Sequence, residues 1–338
     1  MRRTVVVKSL GALLVAAALA SAAAAPAQAD PVLPPAAQDI VGTGADAANA
    51  LMDQFSADYN ATVTGTGPHL YSWNAYGPGP ITTKAGAPVN ARPGGSDQGI
   101  SLLASTTSAT VDFASSSRGQ LPSDPATLKF VAFGKDAVTW AAQAGGHAPA
   151  NLTTQDLYDI YSCAPGKTNW ASFGGTSGTI KPYLPQLGSG TRSVFLKAIG
   201  SPTPGLCVTT GPQESEGTDP ALNDPDVLIP YSVGHWVGQS RGHTTATDDK
   251  GGLTLRNING VAPLTAAGAI NAAFANPTYG RLLYNVVRAA EWNASPATTQ
   301  STALRAVFGP AGYLCSTPGK ATTTAYGFLT LPASACGV

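Results

Sequence analysis

The chain has 338 residues, of which only 11% are charged, and it is rich in glycine (38) and proline (27). Its 19 basic and 19 acidic residues balance, which speaks against a nucleic-acid or acidic-membrane partner. The 43% of hydrophobic residues fall in separated, periodic segments, so composition also excludes low-complexity disorder.

The N-terminus reads as an export signal. Arg2, Arg3 and Lys8 form a basic region, Leu10 to Ala25 an apolar one, and Ala27-Gln28-Ala29 a cleavage site before Asp30. The expected product is secreted, is cleaved after Ala29, and carries no lipid anchor because no cysteine follows the site. No second long apolar stretch follows, so a soluble mature protein is expected. Taking residues 1–29 from 338 leaves 309, enough for two lobes with separate cores. Without the three basic residues of the signal, 16 basic residues face 19 acidic ones, a net charge of −3.

Asp39 to Val41 predicts a short strand that enters the turn Gly42-Thr43-Gly44-Ala45-Asp46. Ala47, Leu51, Phe55 and Tyr59 then recur at helical spacing, with Asp46 at the N-cap or first turn. Residues 69–92, with Tyr71, Trp73 and Tyr76, read as a long loop or hairpin. A second Gly/Ser turn, Gly94-Gly95-Ser96, precedes a helical run over Ile100 to Ser105. The strand Val111 to Ala114 ends in a hydroxyl-rich loop, Ser115-Ser116-Ser117-Arg118.

Two strands are predicted over Lys129–Gly134 and Ala137–Trp140, and a helix over 151–161 capped by Thr153 or Thr154. Ile180 to Pro185 reads as a strand leading into Leu187-Gly188-Ser189-Gly190-Thr191-Arg192, where an apolar helix begins. A helix start of this kind leaves backbone N–H groups free for an anion, although an ordinary N-cap has the same sequence. Asp226 to Val233 is predicted as a strand, Ala266 to Phe274 as a helix and Arg281 to Arg288 as a strand.

The cysteines are Cys163, Cys207, Cys315 and Cys336. Export favours disulfides, and three pairings are open. The sequential one, Cys163–Cys207 with Cys315–Cys336, is favoured because each bond closes a local loop. Other chemistries find little support. His69, His147, His235 and His243 are scattered, and no H-E-x-x-H or G-x-S-x-G occurs. Gly166-Lys167-Thr168 lacks the earlier glycine of a phosphate loop. Asp219, Asp224, Asp226, Asp248 and Asp249 lack calcium-loop spacing and read as solvated turns. No metal site and no cofactor are expected.

Alternating strands and helices give the class α/β. Three Gly/Ser loops at strand ends, where open α/β sheets bind ligands, favour an anion site. The order of these segments resembles the phosphate-binding proteins of ABC transporters, with the type II periplasmic-binding-protein fold. Gly42–Asp46 stands where that family has Gly-x-Gly-x-Thr, and Gly95-Ser96-Asp97-Gln98-Gly99-Ile100 matches Gly-Ser-x-x-Gly-Ile. Asp112 to Ser117 matches Asp-Phe-Ala-x-Ser-Asp, Leu157 to Trp170 a Leu-x-x-Ile-Tyr…Asn-Trp segment, and Ser189 to Phe195 Ser-Gly-Thr-x-x-x-Phe. Ile229-Pro230-Tyr231 and Arg281-Leu282-Leu283-Tyr284 echo two later strands.

The resemblance implies a two-lobed fold, with lobe one over 30–128 plus 241–338 and lobe two over 129–240. The crossovers would lie near Lys129–Phe133 and residue 240. It implies a ligand held by Thr43, Asp46, Ser96, Ser116, Ser117, Arg118, Ser189, Gly190, Thr191 and Arg192. Three positions depart from the family: Pro185 stands for an arginine, Ser117 for a proton-accepting aspartate, and Asp46 for a threonine. Arg118 and Arg192 would restore the charge. The expected function is capture of phosphate or a related oxyanion by a monomer, without chemistry, for an ABC-type permease. The alternatives are an extracellular hydrolase and a surface protein that has lost its ligand.

Overall fold

The computed structural model describes residues 30–245 and 247–338; the expected signal segment, residues 1–29, lies outside the described residues. The chain begins with β1 (Ile40–Gly44), α1 (Asn49–Asn60), β2 (Leu70–Ser72), the small hairpin of β3 (Ile81–Thr82) and β4 (Val89–Asn90), α2 (Ser96–Ser105) and β5 (Phe113–Ser116). The long β6 (Leu128–Gln143) follows, then β7 (Asn151–Leu152), α3 (Thr154–Tyr161), β8 (Lys181–Leu184), α4 (Gly190–Ala198), β9 (Thr209–Thr210), β10 (Val227–Ser232) and α5 (Val233–Ser240). The last part holds β11 (Leu253–Leu255), β12 (Asn257–Ile258), β13 (Gly280–Arg288), α6 (Ala289–Trp292), α7 (Thr299–Phe308), α8 (Thr317–Ala325) and β14 (Leu329–Thr330).

One sheet runs through the molecule in the order β2-β1-β5-β13-β6-β10-β8-β9. β1, β2 and β5 are parallel, whereas β13 is antiparallel to both β5 and β6. β6 is shared. Its residues 128–137 pair with β13, and Val138 to Ala141 pair with β10. Sixteen extended residues span about 50 Å, long enough to serve two cores.

Those cores are separate. Val131 and Phe133 of β6 join Ile40, Leu51, Phe55, Phe113, Leu304 and Phe308 in the first. Trp140 and its neighbours on β6 join Tyr161, Trp170, Leu184, Phe195 and Leu228 in the second. Phe55 meets Phe133 edge-on at 5.9 Å, and Trp140 stacks on Trp170 at 6.1 Å. Each such ring withdraws enough apolar surface to contribute about 2–3 kcal/mol. The architecture is therefore the expected two-lobed α/β one.

Both favoured disulfides form, Cys163–Cys207 and Cys315–Cys336. Two expected elements are corrected. The predicted strands 129–134 and 137–140 are one strand, because the polar pair Lys135-Asp136 between them does not turn. Asp136 is fully buried and satisfied there by Arg281, Ser232 and the N–H of Gly234. Residues 266–274 form turns rather than a helix. Gly268 sits at φ +72°, and the Asn271 side chain bonds Ala262 O and the N–H of Ala273, competing with helical pairing. Among the described residues no helix is long and apolar enough to cross a membrane.

Candidate functional site

The Gly/Ser loops meet between the lobes. β1 ends at Gly44 and delivers Ala45 to Ala47; β5 delivers Ser117 to the start of α2, where Ser96 accepts the Ser117 N–H at 3.1 Å. From the other lobe, α4 points its N-terminus at this wall. Ser189 caps that helix by accepting the Arg192 N–H at 3.0 Å. The two sides touch: a Cβ on Gly190 would lie 2.3 Å from Ser117 Oγ and 2.7 Å from Ser96 Oγ, so only glycine fits. Asp97 N–H donates to Gly188 O at 3.2 Å, and Gln98 Nε2 to Leu187 O at 3.0 Å, across the same seam.

At the centre of this seam lies a carboxylate, that of Glu214. One of its oxygens accepts from the Ser189 hydroxyl and, at 3.2 Å, from the Thr191 N–H. The other accepts from the Ala47 N–H at 3.3 Å. The cradle therefore holds an anion, and the anion belongs to the protein. Gln186 and Gln213 complete the frame. Gln186 accepts the Glu214 N–H at 2.8 Å and donates to Gly94 O at 2.7 Å, while Gln213 donates to Asp46 at 2.8 Å.

The expected site residues divide into two groups. Asp46, Ser96, Ser117, Ser189, Gly190 and Thr191 are brought together at the seam. Thr191's own hydroxyl is buried there without a partner among the described residues, as is that of Thr43 on β1. Ser116, Arg118 and Arg192 are engaged elsewhere. Ser116 Oγ closes a local turn with Arg118. The Arg118 guanidinium binds Asp97 at 2.6 Å and Asp124 at 2.7 and 3.0 Å. Arg192 donates to Pro185 O and Thr210 Oγ1, both at 2.9 Å. These fixed partners leave neither arginine available to the cradle.

The electrostatics beside the cradle are acidic. Burial, then the charges of Glu214 and Asp248, push the Asp46 carboxyl well above the usual range. Burial opposes charge on His235, but Asp248 at 2.5 Å and Ala47 O at 2.9 Å outweigh it and raise the imidazole to about 9. Glu216 is pushed up to about 7, by burial first and then by Asp248 and Asp219. Asp46, Glu216 and Asp248 also face a neighbouring cavity of about 420 Å³. No group of His, Cys, Asp or Glu among the described residues is arranged to hold a metal ion.

Sequence reasoning missed Glu214, Gln186, Gln213 and the backbone of Ala47. Glu214 sits in Gly-Pro-Gln-Glu-Ser-Glu-Gly, a polar loop without periodicity, and only the fold places it opposite α4. His235 was legible merely as one of four scattered histidines.

Comparison with known proteins places the fold in a family. The profile of the PBP superfamily domain matches residues 33–281. No curated protein matches in sequence. Among solved structures, a putative phosphate ABC transporter substrate-binding protein with bound phosphate from Clostridium perfringens superposes with a TM-score of 0.63 at 14% identity, covering 87% of this chain and 100% of that one. An ABC-type phosphate transport receptor from Vibrio cholerae gives 0.57 at 19% identity, with 87% and 100% covered. Both neighbours are substrate-binding proteins or receptors by name, and at these identities what they share with this chain is the fold. The sequence match over most of the chain, together with the two-lobed sheet and the seam between the lobes, shows that the protein belongs to the PBP superfamily.

Proposed function

We propose that this is a secreted solute-binding protein that captures a small tetrahedral oxyanion, phosphate or a relative, between its lobes. It does so as a monomer and without chemistry, and delivers the solute to an ABC-type permease. The observation that carries this reading is the cradle itself: donors from both lobes converge on one buried carboxylate. Helix N-terminal N–H groups and hydroxyls are the donors that suit oxyanions. The phosphate-binding names of the neighbouring structures support the ligand class. The disulfides suit an oxidising compartment, which supports export through the signal at residues 1–29.

The lobes are drawn from the two cores. Lobe one holds residues 30–128, and lobe two begins on β6. The apolar residues Ile258, Ile270, Phe274 and Tyr279 pack in the second core, so the return crossover belongs near Gly280 rather than near residue 240. Closure of one lobe on the other would complete the donor set around a solute.

Isothermal titration with phosphate, sulfate and organic phosphates tests the reading. Saturable 1:1 heat with a tetrahedral oxyanion is expected, and Ser189→Ala should weaken it by about tenfold or more in a chain that also lacks Glu214, where the hydroxyl serves the solute alone. Flat titrations with every oxyanion, in the native chain and in a variant with Glu214 removed, would overturn it.

A further inference from the structure

Glu214 lies in the loop between β9 and β10 and is only 1% exposed. A buried carboxylate is costly unless its oxygens are well satisfied. Here no Lys, Arg or His among the described residues pairs with it, and uncharged donors alone hold it: the Ser189 hydroxyl and the N–H groups of Thr191 and Ala47. Because Ala47 belongs to one lobe and Ser189 and Thr191 to the other, this side chain bridges the cleft, beside the Gln98, Gln186 and Gln213 amides that reach across the same seam.

The loop backbone is shaped to deliver it. Gln186 fixes the Glu214 N–H at 2.8 Å. The next residue, Ser215, is buried at φ +71°, a left-handed conformation that L residues rarely adopt. Its carbonyl accepts from the Tyr231 hydroxyl at 2.9 Å and from Gln239 Nε2 at 2.7 Å. Strain of this kind persists only where the surroundings over-determine it, and here they aim one carboxylate into the cradle.

We infer that Glu214 is a tethered occupant of the anion cradle: it holds the lobes together in the absence of solute, and a solute anion enters by displacing it. The latch half stands on the structure alone, whereas the displacement half rests on the oxyanion reading above. A carboxylate fills the cradle incompletely. It has two oxygens, while the Thr191 hydroxyl stays unpartnered and the Ser96 and Ser117 hydroxyls stand 3.5 Å apart at the same seam. A tetrahedral anion brings four oxygens and can engage these groups. A free monocarboxylate only repeats what the tethered one already gives. Glu214 thereby sets a preference for tetrahedral oxyanions over monocarboxylates.

A tethered group competes at an effective concentration of roughly millimolar or above. Apparent solute affinity is the intrinsic affinity multiplied by the fraction of time the cradle stands open. The test compares the native chain with Glu214→Ala, using small-angle scattering in anion-free buffer and isothermal titration with inorganic phosphate. The native chain should be compact with or without phosphate. Glu214→Ala should have a larger radius of gyration, contract on adding phosphate, and bind it at least about tenfold more tightly. Acetate should compete with phosphate weakly in the variant and not measurably in the native chain.

A compact, anion-free Glu214→Ala overturns the latch. Equal phosphate affinity in both proteins overturns the displacement and leaves the oxyanion reading intact. A variant that opens but binds no oxyanion keeps the latch and sinks the oxyanion reading. Circular dichroism checks that each variant is folded. If Glu214→Ala does not fold, the isosteric and uncharged Glu214→Gln carries the same comparisons, with a several-fold gain in phosphate affinity expected.

Discussion

His235 shows how one side chain can carry a pH dependence for the region behind the cradle. It is buried at the start of α5, with Nε2 on Asp248 and Nδ1 on the carbonyl of Ala47, the residue whose N–H holds Glu214. Burial alone would keep the ring neutral, yet Asp248, the Ala47 carbonyl and the nearby Asp46 raise it from 6.5 to about 9. A group raised on folding contributes stability that is fully present below its unfolded value and is lost as pH rises through the folded one. Glu216, raised to about 7, and Asp112, raised to about 6, act with the same sign but are already ionised above those values. Across about pH 7 to 9 His235 contributes a loss on the order of 3 kcal/mol for a shift of this size, beside the buried carboxyls of Asp46 and Asp53, which burial pushes well above the usual range and which act with the same sign. Thermal melts of the native chain should fall across that window, and His235→Gln should flatten the fall. An unchanged slope in the variant would remove His235 from this role.

At the scale of the element, the start of α4 is where sequence and structure agree most closely. Gly-Ser-Gly-Thr before an apolar helical run was enough to place an N-terminus that offers donors, and Ser189 caps it as its residue type requires. Gly190 has a steric reason as well. Its Cα faces Ser117 and Ser96 so closely that Gly190→Ala must push the seam apart. We expect a loss of about 1–3 kcal/mol in urea unfolding, with part recovered by adding Ser117→Gly, which removes the nearer oxygen. Full stability in the single variant would show that the seam yields freely. The elements that sequence did not reveal fail for physical reasons of the opposite kind. Lys135-Asp136 looks like a turn until Arg281, 145 residues away in the chain, supplies a buried partner. Residues 266–274 have helical apolar spacing, but Gly268 and the Asn271 side chain divert the backbone into turns. Glu214 belongs with these. Local pattern is readable from one segment, whereas a long-range polar partner has no local signature.

For the whole molecule, the informative contact is that of Asp136 and Arg281. β6 carries residues of both cores, and Asp136 lies where its pairing passes from β13 to β10. Its carboxylate accepts from Arg281 Nε at 2.9 Å and Nη2 at 2.7 Å, from Ser232 Oγ at 2.7 Å and from the Gly234 N–H at 2.8 Å. It thus ties the strand shared by the lobes to β13 on one side and to the start of α5 on the other. With Asp136 unexposed and Arg281 nearly so, removing the acid leaves a buried cation uncompensated, a loss that typically costs about 3–5 kcal/mol. Asp136→Asn should therefore lower the denaturation midpoint far more than a surface substitution does. Replacing both partners, Asp136→Asn with Arg281→Met, should recover a large part of that loss, because the penalty comes from the orphaned charge rather than from the missing attraction. If the double variant is as unstable as Asp136→Asn alone, the bonds to Ser232 and Gly234 dominate instead. The crossover is then held by β10 and α5 rather than by β13. The two outcomes assign the stiffness of the neck, and with it the freedom of one lobe to open against the other, to different strands of the same sheet.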